Sequence, residues 1–225
     1  MYKWDFAAVF IDFDLLLLGL LNTLKVTGLS LTLGVPLGLF LAVCRLSRLR
    51  LIGPLAGFII EFFRTTPPLV QLFWFFFALP ILIDVRMTPF VAAVATFSIQ
   101  SSAFFAEVFR GGIVSVEASQ WEGARALGMS YIQLMRRVIL PQAVKRMIPA
   151  FLERSIELLK TTTLVSVIAY SDLLFYANDL AQKTFRPLEI YTITALIYFC
   201  VIYPISMLVR VLERFFNRSG ESTVA

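Results

Sequence analysis

The sequence predicts an all-α, polytopic membrane protein with five membrane-spanning helices. Of its 225 residues, 59% are hydrophobic and 16% are charged, and the mean hydropathy of +0.82 lies outside the range of ordinary soluble domains. Five apolar stretches reach the roughly 20 residues that a helix needs to cross a bilayer. We therefore treat residues 1–225 as a single transmembrane domain.

Each predicted span carries local signals of its own. In the first span Ser30, Gly34, Gly38 and Ala42 recur every fourth residue, which gives one face of small side chains where another helix can approach closely. The third span opens at Thr88–Pro89, a capping residue followed by a proline at the first helical position. The approximate limits of the five spans are 15–43, 54–80, 88–110, 149–170 and 188–208.

The second span is interrupted at residues 65–68, Thr-Thr-Pro-Pro. Proline has no N–H to donate to the carbonyl four residues earlier. Carbonyls freed in mid-membrane need other partners, either in the protein or along a water-filled path. We expect this interruption to lie against other parts of the protein or along a water-filled path. Residues 171–187, between the fourth and fifth spans, are expected to form a polar link.

Basic residues predict the orientation of the chain, since Lys and Arg concentrate on the cytoplasmic side of membrane proteins. Most of them lie in residues 45–50, in residues 110–146 and in the C-terminal tail. This places the N-terminus outside and the C-terminus inside. The first residues carry more Asp than Lys, the reverse of a secretory leader, so we expect them to be mature sequence.

Residues 112–141 form a polar loop between two strongly apolar segments, called the 112–141 loop below. From Val116, the spacing of Trp121, Ala124 and Leu127 predicts one apolar stripe along a short helix. Gly128 is expected to end that helix in a left-handed conformation. Ser130 and Gln133 then form a capping-box pattern, and the second helix places Tyr131, Leu134, Met135, Val138 and Ile139 on one side before Leu140–Pro141.

These residues resemble a known pattern. Glu107 and Arg110-Gly111-Gly112 precede the first short helix, Gln120-Trp121-Glu122-Gly123-Ala124 and Leu127-Gly128 form it, and Ile139-Leu140-Pro141 follow. The chain is similar over nearly its whole length to permeases of bacterial ABC importers of the polar amino acid family, in which this loop is the EAA loop. One departure is Gly123 in place of the usual alanine, which weakens the helix by roughly 1 kcal/mol.

The resemblance implies that the loop contains a coupling helix that docks on a cytoplasmic dimer of ABC ATPases. It also implies a second permease subunit, identical or related, and a solute-binding protein outside the bacterial cytoplasmic membrane. ATP and magnesium would bind to the ATPase, and no cofactor to this chain. The residues that this assigns to coupling are Glu117, Gln120, Trp121, Glu122, Ala124, Arg125, Leu127 and Gly128. The other interpretation of the same stretch is an amphipathic helix resting on lipid headgroups.

Charged residues inside the predicted spans need partners or a polar cavity, because each costs several kcal/mol in a bilayer. Glu61, Arg64 and two threonines repeat the order of Glu157, Lys160 and two threonines, at similar predicted depth. Either each acid pairs with the base three residues later, or the bases face a central path and hold the carboxylate of a substrate. The candidate path residues are Glu61, Arg64, Thr65, Thr66, Gln100, Glu157, Lys160 and Thr162.

Several functional classes are excluded by composition. The chain has no histidine, so imidazole-based triads and metal sites are absent. Without a Gly-x-x-x-x-Gly-Lys-Ser/Thr loop, it is not expected to hydrolyse ATP by itself. The net charge of +5 marks a membrane face and does not indicate nucleic-acid binding. The alternative to the ABC permease is a secondary transporter or channel driven by an ion gradient, which would be expected to show inverted repeats.

Overall fold

The computed structural model describes residues 4–6, 12–47 and 49–221, with side chains up to residue 213. This part of the chain contains helices and no strand. Lys3, Arg48 and the side chains of Arg214 and Arg218, which contribute to the predicted orientation, lie outside it. The helices are α1 Phe13–Arg45, α2 Ile52–Thr65, α3 Pro68–Ile83, α4 Pro89–Val114, α5 Ala118–Ala126, α6 Tyr131–Ile168, α7 Leu173–Thr184 and α8 Pro187–Glu221.

Three helices are long and apolar enough to cross a membrane on their own, namely α1, α4 and α8. The count rises to five if each of two bent pairs, α2 with α3 and α6 with α7, forms one span. The predicted third span begins as expected, because the Thr88 hydroxyl accepts a hydrogen bond from the N–H of Val91 ahead of Pro89. The predicted fourth span is part of the longer helix α6, which already begins at Tyr131.

The second predicted span is not one straight helix. Helix α2 ends at Thr65, Thr66 is extended, and α3 starts at Pro68 at an angle of 102° to α2. Since Pro67 and Pro68 both lack an N–H, the α-helical hydrogen bonding of α2 cannot run on into α3. The predicted interruption at residues 65–68 is therefore present, and the two halves of the second span point in different directions.

Helices α1 and α4 pack through the predicted face of small residues. Ser30, Gly34, Gly38 and Ala42 are all buried. A Cβ atom on Gly38 would lie 2.8 Å from both the Cβ of Phe105 and the carbonyl oxygen of Ser102, so only glycine permits this approach. Helix α4 is the most buried of the three long helices. In its apolar stretch of 18 residues 61% of the residues are buried inside the protein, against 6% in that of α8. The faces of α8 are left to lipid or to another protein.

Residues 171–187, predicted only as a polar link, contain a helix. Asp172 caps α7, because its carboxylate accepts a hydrogen bond from the N–H of Phe175 at 2.9 Å. Leu173, Ala177, Leu180 and Ala181 are buried against α1 and α8. Their spacing is that of an amphipathic helix, so the signal for α7 was present in the sequence.

Candidate functional sites: the 112–141 loop and the charged cluster

The 112–141 loop adopts the predicted pair of helices meeting at a glycine. Helix α5 ends in a Schellman motif: Gly128 has φ of +71°, its N–H donates to the carbonyl of Arg125 at 2.9 Å, and the N–H of Met129 donates to the carbonyl of Ala124 at 3.2 Å. This pattern satisfies carbonyls at the helix end and favours glycine at the left-handed position.

Helix α6 begins with the predicted capping box. The N–H of Gln133 donates to the Ser130 hydroxyl, and the N–H of Ser130 donates to the Gln133 side chain at 3.0 Å. Two amides that have no partner within the helix are thereby satisfied. Local sequence alone thus determines both the end of α5 and the start of α6.

The loop has a small hydrophobic core of its own, which joins α5 to the membrane helices. Its buried members come from the segment before α5, from α5 itself and from α6: Val116, Ala124, Leu134, Ile139, Ala143 and Met147. The Gln142 side-chain amide on α6 donates to the Gln120 side chain on α5 at 3.3 Å, and the Arg146 guanidinium donates to the Ser115 carbonyl. Helix α5 is therefore held against α6 by packing and by a polar contact.

The outer face of the loop is polar and exposed, with apolar side chains among the charges. Glu117, Gln120, Glu122 and Arg125 are exposed, as predicted, while Ala124 is buried and Trp121 is half-buried. Leu127 and Tyr131, which the sequence places on the apolar sides of the two helices, are 78% and 66% exposed. An open groove of about 1110 Å³ follows this face, lined among others by Leu46, Val114, Trp121, Arg125 and Tyr131. Exposed apolar patches of this kind mark surfaces that contact another protein or a membrane.

Of the charged residues predicted inside the spans, Glu61, Arg64 and Glu157 lie with Arg154 around Phe104, between α2, α4 and α6, and these residues are called the charged cluster below. The Arg64 guanidinium lies 3.5 Å from the Glu61 carboxylate, which is the predicted pairing. Glu157 pairs with Arg154, whereas the pairing alternative of the sequence analysis predicted Lys160 as its partner. The Cζ atoms of Arg64 and Arg154 lie 5.8 Å and 4.9 Å from the centroid of the Phe104 ring. One aromatic ring therefore holds two guanidinium groups, each beside its own carboxylate.

The predicted path threonines bond mainly within their own helix. The hydroxyls of Thr65 and Thr66 donate to the carbonyls of Glu61 and Phe62 at 2.8 and 2.7 Å. Thr162 is fully buried, and its hydroxyl lies 3.0 Å from that of Thr27 on α1. Thr162 thus faces α1 and lies away from the charged cluster.

Two cavities meet at Arg154 and Glu157. A small one of about 60 Å³ is lined by Gln100, Phe104 and Thr161 besides this pair. A larger one of about 570 Å³ lies between α6 and α8, within the usual volume range of small-molecule sites. Its charged lining residues are Glu153, Arg154, Glu157, Lys160, Arg210 and Glu213. Three acids and three bases thus surround one cavity.

Sequence reasoning missed Arg154, Phe104 and Arg210. Arg154 lies three residues before Glu157, a pairing distance on a helix, and this was the available signal. For Phe104 the sequence contains no such signal, because nothing distinguishes it among the 22 phenylalanines of the chain. In the part of the chain that the structure describes, no group of three Cys, Asp or Glu side chains is placed to hold a metal ion.

The described residues thus form an all-helical membrane domain with an exposed loop packed against its membrane helices. A protein family described as the binding-protein-dependent transport system inner membrane component matches residues 34–218. The chain belongs to this family. It is accordingly a multi-pass inner membrane protein and the membrane component of a transport system that depends on a substrate-binding protein.

Among named relatives, the chain is 34% identical to the arginine transport system permease protein ArtQ of Bacillus subtilis, over 93% of this chain and 96% of that protein. It is 33% identical to a putative glutamine transport system permease protein GlnP of Rickettsia bellii, over 87% and 90%. A solved structure titled as an amino acid ABC transporter with histidines superposes with a TM-score of 0.90 at 38% identity, covering 95% of this chain and 99% of that one.

Proposed function

We propose that this chain is the permease subunit of an ATP-driven importer that carries amino acids across the bacterial cytoplasmic membrane. The relatives named for arginine and glutamine transport support the substrate class. The observation that carries the mechanism is the bracing of α5 against α6, which gives an outside force a rigid route into the membrane helices.

The partner on the loop side is a dimer of cytoplasmic ABC ATPases, which bind the ATP and magnesium. The exposed Glu117, Glu122, Arg125 and Leu127 form the contact surface, with the C-terminus on the same side and the N-terminus outside. A second permease subunit, identical or related, covers exposed apolar faces such as that of α8. A solute-binding protein delivers the substrate from the outer side.

The route of force is helix α6. It packs against α5 near its start and carries Arg154 and Glu157 further along, about 35 Å away at 1.5 Å per residue. When the ATPases close, α5 and the start of α6 move as one body because they share a core. The charged cluster moves with them, and the path changes the side on which it is open.

The substrate path includes the charged cluster and the larger cavity beside it. An amino acid carries a carboxylate and an ammonium group, and the paired acids and bases here offer a partner to each. Arg64, Arg154 and Lys160 suit the carboxylate, whereas Glu61 and Glu157 suit the ammonium. Gln100, Thr65 and Thr66 lie at the edge of the cluster. Thr162 has no place in this path, because it is buried against α1.

The experiment is uptake of a mixture of labelled amino acids into proteoliposomes that hold the permease, its ATPase and its binding protein. We expect ATP-dependent accumulation of one or a few amino acids. Uptake by the permease alone, driven by an ion gradient, would contradict the proposal and favour a secondary transporter. A control variant carries Gln182→Ala at an exposed position of α7. We expect its uptake to equal that of the wild-type complex.

A further inference from the structure

We propose that Gln71 is a positioning residue for transport, whose side-chain amide fixes the break between α2 and α3 and thereby the direction of Arg64. This inference rests on the proposed function, because it takes the charged cluster as part of the substrate path. It concerns a residue that itself neither touches the cluster nor carries a charge.

The break leaves a specific carbonyl without a partner. In a continuous helix the carbonyl of Phe63 would accept from the N–H of residue 67, but residue 67 is proline. The Gln71 side-chain nitrogen donates to this carbonyl at 3.0 Å and also to the carbonyl of Thr66 at 2.9 Å. One amide group therefore bridges the last turn of α2 and the extended residue that follows it.

Gln71 can bridge the break between α2 and α3 because its backbone and side chain are themselves held in place. Its backbone N–H donates to the carbonyl of Pro67, its side chain is only 4% exposed, and its neighbour Leu72 belongs to the main core with Val26 and Phe97. The side-chain oxygen of Gln71 has no hydrogen-bond partner among the described residues. Gln71 therefore acts at the break between α2 and α3 only as a donor, through the two N–H groups of its side-chain amide.

Arg64 lies within the bridged segment, between Phe63 and Thr66. Its guanidinium reaches Glu61 on the same helix and the ring of Phe104 on α4. Without the bridge, two carbonyls in a membrane interior would lack donors, which is costly. The segment would rearrange to satisfy them, and the backbone that carries Arg64 would turn. Gln71 thus controls the orientation of the cluster without contacting the substrate.

The test replaces Gln71 with methionine, which has similar length and volume but no donors. In purified complexes of permease, ATPase and binding protein, the amount of amino acid taken up per ATP hydrolysed is measured. We expect this ratio to fall about five-fold or more while ATP hydrolysis continues, because two hydrogen bonds are lost and one net hydrogen bond already corresponds to about five-fold. A purely structural role would lower uptake and hydrolysis together, through fewer assembled complexes. A ratio within a factor of about two of the wild-type value would overturn the proposal.

Two further variants complete the test. Gln182→Met makes the same change at an exposed position on α7 and is expected to leave the ratio unchanged. If Gln71→Met does not assemble, Pro67→Ala in the same chain restores an N–H for the Phe63 carbonyl, and that double variant is measured. We expect it to assemble with a lowered ratio; failure to assemble, or a wild-type ratio, would overturn the proposal. A wild-type complex that imports no amino acid would instead contradict the proposed function.

Discussion

The 112–141 loop and the charged cluster differ in what determines their structure. The loop depends on contacts between residues close in sequence, such as Ser130 with Gln133 and Gly128 with Arg125. The charged cluster depends on Phe104 of α4, which receives guanidinium groups from α2 and α6. In this protein, therefore, the 112–141 loop is encoded locally, whereas the charged cluster is assembled by tertiary packing.

The largest expected effect tests the cluster. In Arg154→Gln, Glu157 loses its ion-pair partner and Phe104 loses one of its two cations. We expect uptake by assembled complexes to fall about tenfold, because at this partly exposed site the ion pair and the cation–π contact together contribute about 1–2 kcal/mol. The measurement is the initial rate of uptake in proteoliposomes.

The control for this variant is Lys160→Gln, which removes a charge from the same helix and the same large cavity. Since Glu157 keeps Arg154 in that variant, the loss should be smaller. Equal losses in the two variants would mean that the specific pairing with Glu157 is unimportant and that only total charge counts.

The next effect tests the local encoding of the loop. In Gly128→Ala, a Cβ atom is placed on a residue with φ of +71°, where it would meet no other atom within 4 Å. The cost is therefore conformational, about 1–2 kcal/mol. We expect a lower midpoint of thermal unfolding for the loop, followed through Trp121 fluorescence, and weaker ATPase binding. Unchanged binding would show that the turn is not needed for docking.

The features that the sequence predicts correctly are those that depend on contacts between residues close in sequence. Thr88 with Pro89, Ser130 with Gln133, and Gly128 were all predicted correctly from short-range rules. The interruption of the second span at residues 65–68 was also predicted, because it follows from Pro67 and Pro68, but its angle of 102° was not. The partner of Glu157 and the burial of Thr162 were not predicted. Both depend on which helix packs beside which, and Arg154 was a competing partner for Glu157 that packs on Phe104. Helix α7 is the exception, because its cap and apolar spacing were readable from the sequence.

The smallest expected effect has the opposite sign. Gly123 lies within α5 and is exposed, and a methyl group added there would meet no other atom within 4 Å. In Gly123→Ala the helix should gain about 1 kcal/mol from propensity alone. The same chemical change five residues later, at Gly128, should cost stability. If both substitutions shift the unfolding midpoint in one direction, the loop is not governed by local backbone preference.

The central claim is that the 112–141 loop transmits force made by another protein into helix α6. The most direct measurement replaces residues 117–128 with a glycine–serine spacer of equal length and records amino acid uptake and ATP hydrolysis in the same proteoliposomes. We expect uptake to be lost, and any remaining hydrolysis to be independent of the binding protein. Uptake at the wild-type rate, with the wild-type amount of ATP used for each amino acid, would contradict the account.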